Sequence, residues 1–142
     1  MREIPRLVSI DDHVVEPPHL WQRWLPASLR DRGPRVVHDH HSIEWIDGIQ
    51  TIRRGGDGPK TDFWIYEDLV WSHQMLNACA GYDESQWCMG PIAFEQMRPG
   101  CYDPQARLAD MDLNRMEASL CFPTFPRFCG QMFAERKDKA LA

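Results

Sequence analysis

No apolar run in this chain approaches the roughly 20 residues that a membrane-spanning helix requires. No N-terminal segment has the charged-then-apolar pattern of a secretory leader either. Lys and Arg do not cluster. The 16 of them are scattered through a chain of net charge −5, which argues against nucleic-acid partners, whose phosphates demand grouped cations. The five cysteines (Cys79, Cys88, Cys101, Cys121 and Cys129) are an odd set without a CxxC pair, so the reading is reduced thiols and a cytoplasmic location. Neither a membrane nor a nucleic acid is expected as a partner. A phosphate-binding GxxxxGK[ST] arrangement is also missing. The glycine-rich stretch Gly55-Gly56-Asp57-Gly58-Pro59-Lys60 reads instead as a surface loop, or as a mobile flap near a pocket. What remains is a chain of 142 residues with 43% hydrophobic content, large enough for one domain of ordinary size.

The stretch richest in chemistry is Leu7-Val8-Ser9-Ile10-Asp11-Asp12-His13-Val14-Val15-Glu16-Pro17-Pro18. Leu7, Val8 and Ile10 are strand-prone, and Pro17-Pro18 cannot continue a hydrogen-bonded ladder, so the strand ends just past the polar cluster. In a strand, alternate side chains share a face, which groups Asp11 with His13 and sends Asp12 to the other side. A carboxylate beside a neutral imidazole suits a divalent ion, zinc foremost and manganese second. Glu16, just before the prolines, is a further candidate as ligand, as partner of a ligand or as general base. The plain alternative is that Asp-Asp-His caps the next segment or forms a surface ion pair.

Leu20, Trp21, Trp24 and Leu25 recur at helical spacing after the prolines, and residues 27–32 read as one more helical turn stopped by Gly33-Pro34. Residues 35–53 alternate β-branched and polar side chains around two turn signals, Asp39-His40-His41-Ser42 and Asp47-Gly48, which predicts a small antiparallel β-meander. His38, His40 and His41 read as residues of a solvated turn rather than as ligands. Asp62–Glu67 is strand-like, and Trp64, Tyr66, Trp71, Trp87, Phe94 and Tyr102 make an aromatic middle that serves as core or as pocket wall. From Gln105 to Met116 a helix of about three turns places Leu108, Met111 and Met116 towards one side. Residues 117–123 read as a second buried strand, 123–130 as the loop at its end, and 131–142 as the first turns of another helix. Strand, long insertion, helix, strand is the order that opens a right-handed parallel βαβ unit.

The segments SIDDHVVEPPHLW and RPGCYDPQARLADMDLNRMEASLCFPTFPRFCGQ resemble the amidohydrolase-related family that includes aminocarboxymuconate-semialdehyde decarboxylase and γ-resorcylate decarboxylase. That resemblance implies an α/β fold, the N-terminal part of a (β/α)8 TIM barrel. In it, residues 1–18 form the first barrel strand with the metal motif. Residues 19–103 form a long insertion containing the meander, and 104–142 form the first barrel helix, the second strand and the start of the next helix. It implies Asp11 and His13 as metal ligands, with Glu16 behind them, and a small carboxylated or cyclic substrate that is hydrolysed or decarboxylated without oxidation. Arg127, on the loop after the second strand, is the candidate for meeting an anionic substrate, with a surface arginine as the plain alternative. The family's later metal-binding histidine and catalytic aspartate have no counterpart, so the catalytic residue is unassigned and the chain reads as an N-terminal fragment. Its expected partner is a second copy or a complementing C-terminal chain. The competing expectation is a non-catalytic piece that binds a partner through an exposed sheet edge.

Overall fold

The computed structural model describes residues 5–127 and 130–141; Cys129 and its neighbour Phe128 lie outside the described residues. In chain order the elements are β1 (Leu7–Val14), α1 (Leu20–Trp24), β2 (Arg35–Ile46), β3 (Ile49–Arg54), β4 (Lys60–Tyr66), β5 (Leu69–Trp71), α2 (Pro104–Leu113), β6 (Met116–Pro123) and α3 (Gln131–Ala134). Short 3-10 turns fill the stretch between β5 and α2. The chain divides into two compact units. One joins its two ends, up to Pro17 and from Pro99 to Ala140, and the other is Pro18–Arg98 with Leu141.

The middle unit is a four-stranded antiparallel sheet in the order β3-β2-β4-β5. Its first connection is the Asp47-Gly48 hairpin turn, with both residues at positive φ (51° and 78°), the geometry that matches the twist of the flanking strands. β2 serves two partners in succession: Arg35–His40 pair with β4, and His41–Ile46 pair with β3. The sheet therefore curls about the middle of β2. The turn expected at Asp39–Ser42 does not form, because the strand runs straight through it. His40 and His41 direct their Nδ1 atoms to the carbonyls of Gly58 and Pro59, at 2.7 and 2.6 Å. The Gly55 and Gly58 amides donate to the carbonyls of His40 and His41. These histidines thus brace the glycine-rich loop. A Cβ on Gly58 would lie 2.4 Å from the His41 carbonyl oxygen, so only glycine permits this approach. Phe63, Trp64 and Tyr66 of β4 are fully buried, with Trp21 of α1 edge-on to Trp64 at a centroid distance of 4.9 Å. Of the aromatic middle, Trp64, Tyr66 and Phe94 are core, whereas Trp87 is 45% exposed.

The terminal unit holds β1 and β6 as a parallel pair. Between them in sequence, α2 starts at Asp103, whose carboxylate accepts from the Ala106 amide, and has Pro104 in its first turn, a strong start signal. It stops at Leu113, and Arg115 (φ 55°) turns the chain into β6. The expected apolar side of this helix is only partly covered, with Met111 half-buried. Leu108 is 55% exposed, and Arg107 reaches β1, where its Nη2 donates to Asp12 at 2.9 Å.

The (β/α)8 expectation is overturned. Strand (34%) exceeds helix (24%), the larger sheet is antiparallel and curled, and the parallel sheet among the described residues has two strands. Barrel closure requires every strand to pair on both sides; β1 and β6 each pair with one neighbour. The barrel was what the family likeness implied; the strand-helix-strand order itself gives the parallel β1-β6 pair and no more.

Candidate functional site

The register of β1 against β6 decides where its polar side chains go. Ser9 pairs with Ser119, and Asp12 with Cys121. β1 therefore spends two residues, Ile10 and Asp11, where β6 spends only Leu120, which is a β-bulge. One inserted residue flips every later side chain to the opposite face. Ser9 and Asp12, three apart, consequently share a face, and the Ser9 hydroxyl donates to the Asp12 carboxylate at 2.7 Å. Asp12 also receives Arg107 at 2.9 Å and a short hydrogen bond from the Ser119 hydroxyl. The Ser119 and Ser9 hydroxyls, with the Arg107 guanidinium, hold its carboxyl below the usual range against a smaller opposing effect of burial. Asp12 is thus the knot that ties β1, β6 and α2 together.

Asp11 and His13, which flank Asp12, take the opposite face by strand alternation, and both are exposed. On that face the His13 ring lies 6.2 Å from the ring of Phe122, its register partner on β6. Val8 and Ile10 of β1 and Leu120 of β6 are 63%, 73% and 57% exposed. Parallel sheets ordinarily have both faces covered, so an open apolar face carrying a carboxylate and an imidazole near the C-terminal end of β1 is unusual.

Glu16 does not join the pair. It is 6% exposed, and its two oxygens accept from the backbone amides of Thr124 (3.0 Å) and Phe125 (2.9 Å). Burial pushes its carboxyl up, and the amide hydrogen bonds only partly offset this. The Thr124 hydroxyl reaches back to donate to the Val14 carbonyl at 2.8 Å. Arg127 follows in the same turn, its amide donating to Thr124 O at 3.3 Å, with φ at 57° and an exposed side chain. Among the described residues no group of three His, Cys, Asp or Glu is disposed to hold a metal ion. Of the expected ligands, Asp11 and His13 remain exposed, whereas Glu16 is buried.

Sequence reasoning grouped Asp11 with His13 but missed what holds them. Arg107 and Ser119 lie 95 and 107 positions from Asp12, and no local pattern joins them. It also missed His73 in the middle unit. That ring is 1% exposed, accepts from the Trp64 indole at Nε2 (3.3 Å) and is depressed by burial to a pKa of about 4. Its Nδ1 has no hydrogen-bond partner among the described residues. Packed against Trp71 and Phe94, it is a neutral core histidine.

No known protein-family profile and no curated protein matches this chain. No helix of the described residues is long and apolar enough to cross a membrane.

Proposed function

We propose that this chain carries the opening metal-binding segment of an amidohydrolase-related enzyme that hydrolyses or non-oxidatively decarboxylates a small carboxylated or cyclic substrate. Asp11 and His13 are its two ligands from this chain. The reading is supported by the exposure of Asp11 and His13 on either side of Asp12, which Ser9, Ser119 and Arg107 engage. The donor chemistry, one carboxylate oxygen and one imidazole nitrogen, fits zinc and, next, manganese. Such an ion supplies a Lewis acid that lowers the pKa of bound water or grips a substrate carboxylate. Two donors are an incomplete set, so the remaining ligands come from a complementing polypeptide, either a second copy or a C-terminal chain. Arg127 is the residue of this chain proposed to meet the anionic substrate. We assign the chain to the cytoplasm on its cysteine usage; no disulfide joins Cys79, Cys88, Cys101 and Cys121.

The exposure of Val8, Ile10 and Leu120 favours a second reading, a non-catalytic subunit that docks a partner through the open sheet. Metal analysis separates the two. Under the first reading the purified chain takes up zinc or manganese and His13→Ala abolishes the uptake. Metal content that His13→Ala leaves unchanged sinks the ligand assignment and leaves the docking reading.

A further inference from the structure

A two-donor pair on the rim of an open sheet binds an ion only if its backbone is held still, because any freedom in the pair is lost on binding. The backbone between and after Asp11 and His13 is held. Between them, Asp12 is fixed by Ser9, Ser119 and Arg107. After them, three consecutive residues are each tied to another segment. The Val14 carbonyl accepts from the Thr124 hydroxyl, the Val15 amide donates to the Cys101 carbonyl at 2.9 Å, and the Glu16 carboxylate takes the amides of Thr124 and Phe125. Glu16 and Thr124 thus grip one another's segments in both directions, side chain to backbone each way.

We propose that Glu16 is a positioning residue, which fixes the strand end so that Asp11 and His13 are presented together, and is not itself a ligand. Both of its oxygens are committed to amides, and an ionised carboxylate is the one kind of side chain that offers each of two adjacent N–H groups its own oxygen with no donor of its own. Glutamine at this place has one acceptor oxygen and sets an N–H donor against an amide N–H. This inference rests on the metal-pair reading above.

The test is a Mn2+ titration of the full chain followed by paramagnetic broadening of backbone amide signals, which reads weak sites residue by residue. In the native chain, residues 11–14 broaden first; in His13→Ala that selective broadening is gone. Glu16→Gln is expected to raise the apparent Kd about tenfold, the scale on which residues that orient ligands act, while the amides of β6 and α2 keep their exchange protection. Thr124→Val removes only the hydroxyl bond to Val14 and is expected to raise it about fivefold, one hydrogen bond's worth. That milder variant decides the matter if Glu16→Gln fails to fold. Should His13→Ala still broaden residues 11–14, the metal-pair reading falls and takes this inference with it. If His13→Ala abolishes broadening but Glu16→Gln or a folded Thr124→Val binds Mn2+ within twofold of the native chain, the positioning role alone is overturned.

Discussion

The middle unit keeps Phe63, Trp64, Tyr66 and His73 out of water, whereas the terminal unit leaves Val8, Ile10 and Leu120 in it. The first is held by apolar burial, with aromatic rings edge-on around β4. The second adds to a small apolar core of Val15, Phe125 and Met132 two polar knots: Asp12 with Arg107 and the two serines, and Glu16 with two backbone amides. A unit stabilised by a dry core loses stability in proportion to the apolar area removed. One stabilised by carboxylates responds to the state of a few protons. The Asp12 knot also lies on one face of β1, and Asp11 and His13 beside it are exposed.

Four perturbations break or sharpen this contrast. The largest is Trp64→Ala, which empties the centre of the middle unit and is expected to cost about 3–5 kcal/mol; urea unfolding followed by tryptophan fluorescence measures it. Next is acid. His73 is neutral when folded, with its pKa down at about 4 against an ordinary 6.5, so the unfolded chain binds the extra proton first. Stability of the middle unit is full above the ordinary histidine value and falls as pH drops from there towards about 4, by on the order of 3 kcal/mol. His73→Phe flattens that slope, and a slope unchanged by the substitution would refute the assignment.

Third, Asp12→Ala strips Arg107 and Ser119 of their acceptor, at an expected cost of about 1–3 kcal/mol, read as lost exchange protection in β1 and β6. Because its folded pKa is depressed, the contribution of Asp12 is present above the ordinary carboxylate value of 3.8 and is lost as pH falls below it. The smallest effect is Glu16→Gln, about 1 kcal/mol, with the opposite pH trend. The Glu16 carboxyl is pushed up, so its folded state favours the protonated form. The native chain's advantage over Glu16→Gln is therefore largest below the ordinary glutamate value of 4.5 and narrows as pH rises through the raised one. Urea midpoints of the two chains at several pH values would show the narrowing; a gap that widens with pH contradicts it.

Much of the local structure could be read along the chain. The apolar run into Asp11-Asp12-His13, the Asp47-Gly48 turn, the start of α2 at Asp103-Pro104 and the strand before Pro123 all carry signals within a few residues of themselves. What escaped was long-range. Asp39-His40-His41-Ser42 has turn composition, yet it is strand because a loop nearly 20 residues onward takes its hydrogen bonds. Glu16 is a ligand candidate by type, but amides 108 and 109 positions away occupy it. The barrel was what the family likeness implied, and the curled antiparallel sheet does not follow that scheme. Of the candidate site, alternation grouped Asp11 with His13. It could not tell which of the two aspartates the fold would use, because the bulge at Ile10 and Asp11 is invisible without the partner strand.

A strand is a text read in a frame of two, and the bulge in β1 is a shift of that frame. Counted from Ser9 without it, Asp11 would turn towards Arg107, and Asp12 would stand in the open. The doubled aspartate spells a usable message in either frame, since one carboxylate is always delivered to the guanidinium and the other to the solvent side. Only His13 has no double: in the other frame it follows Asp11 to the Arg107 side and leaves Asp12 alone in the open.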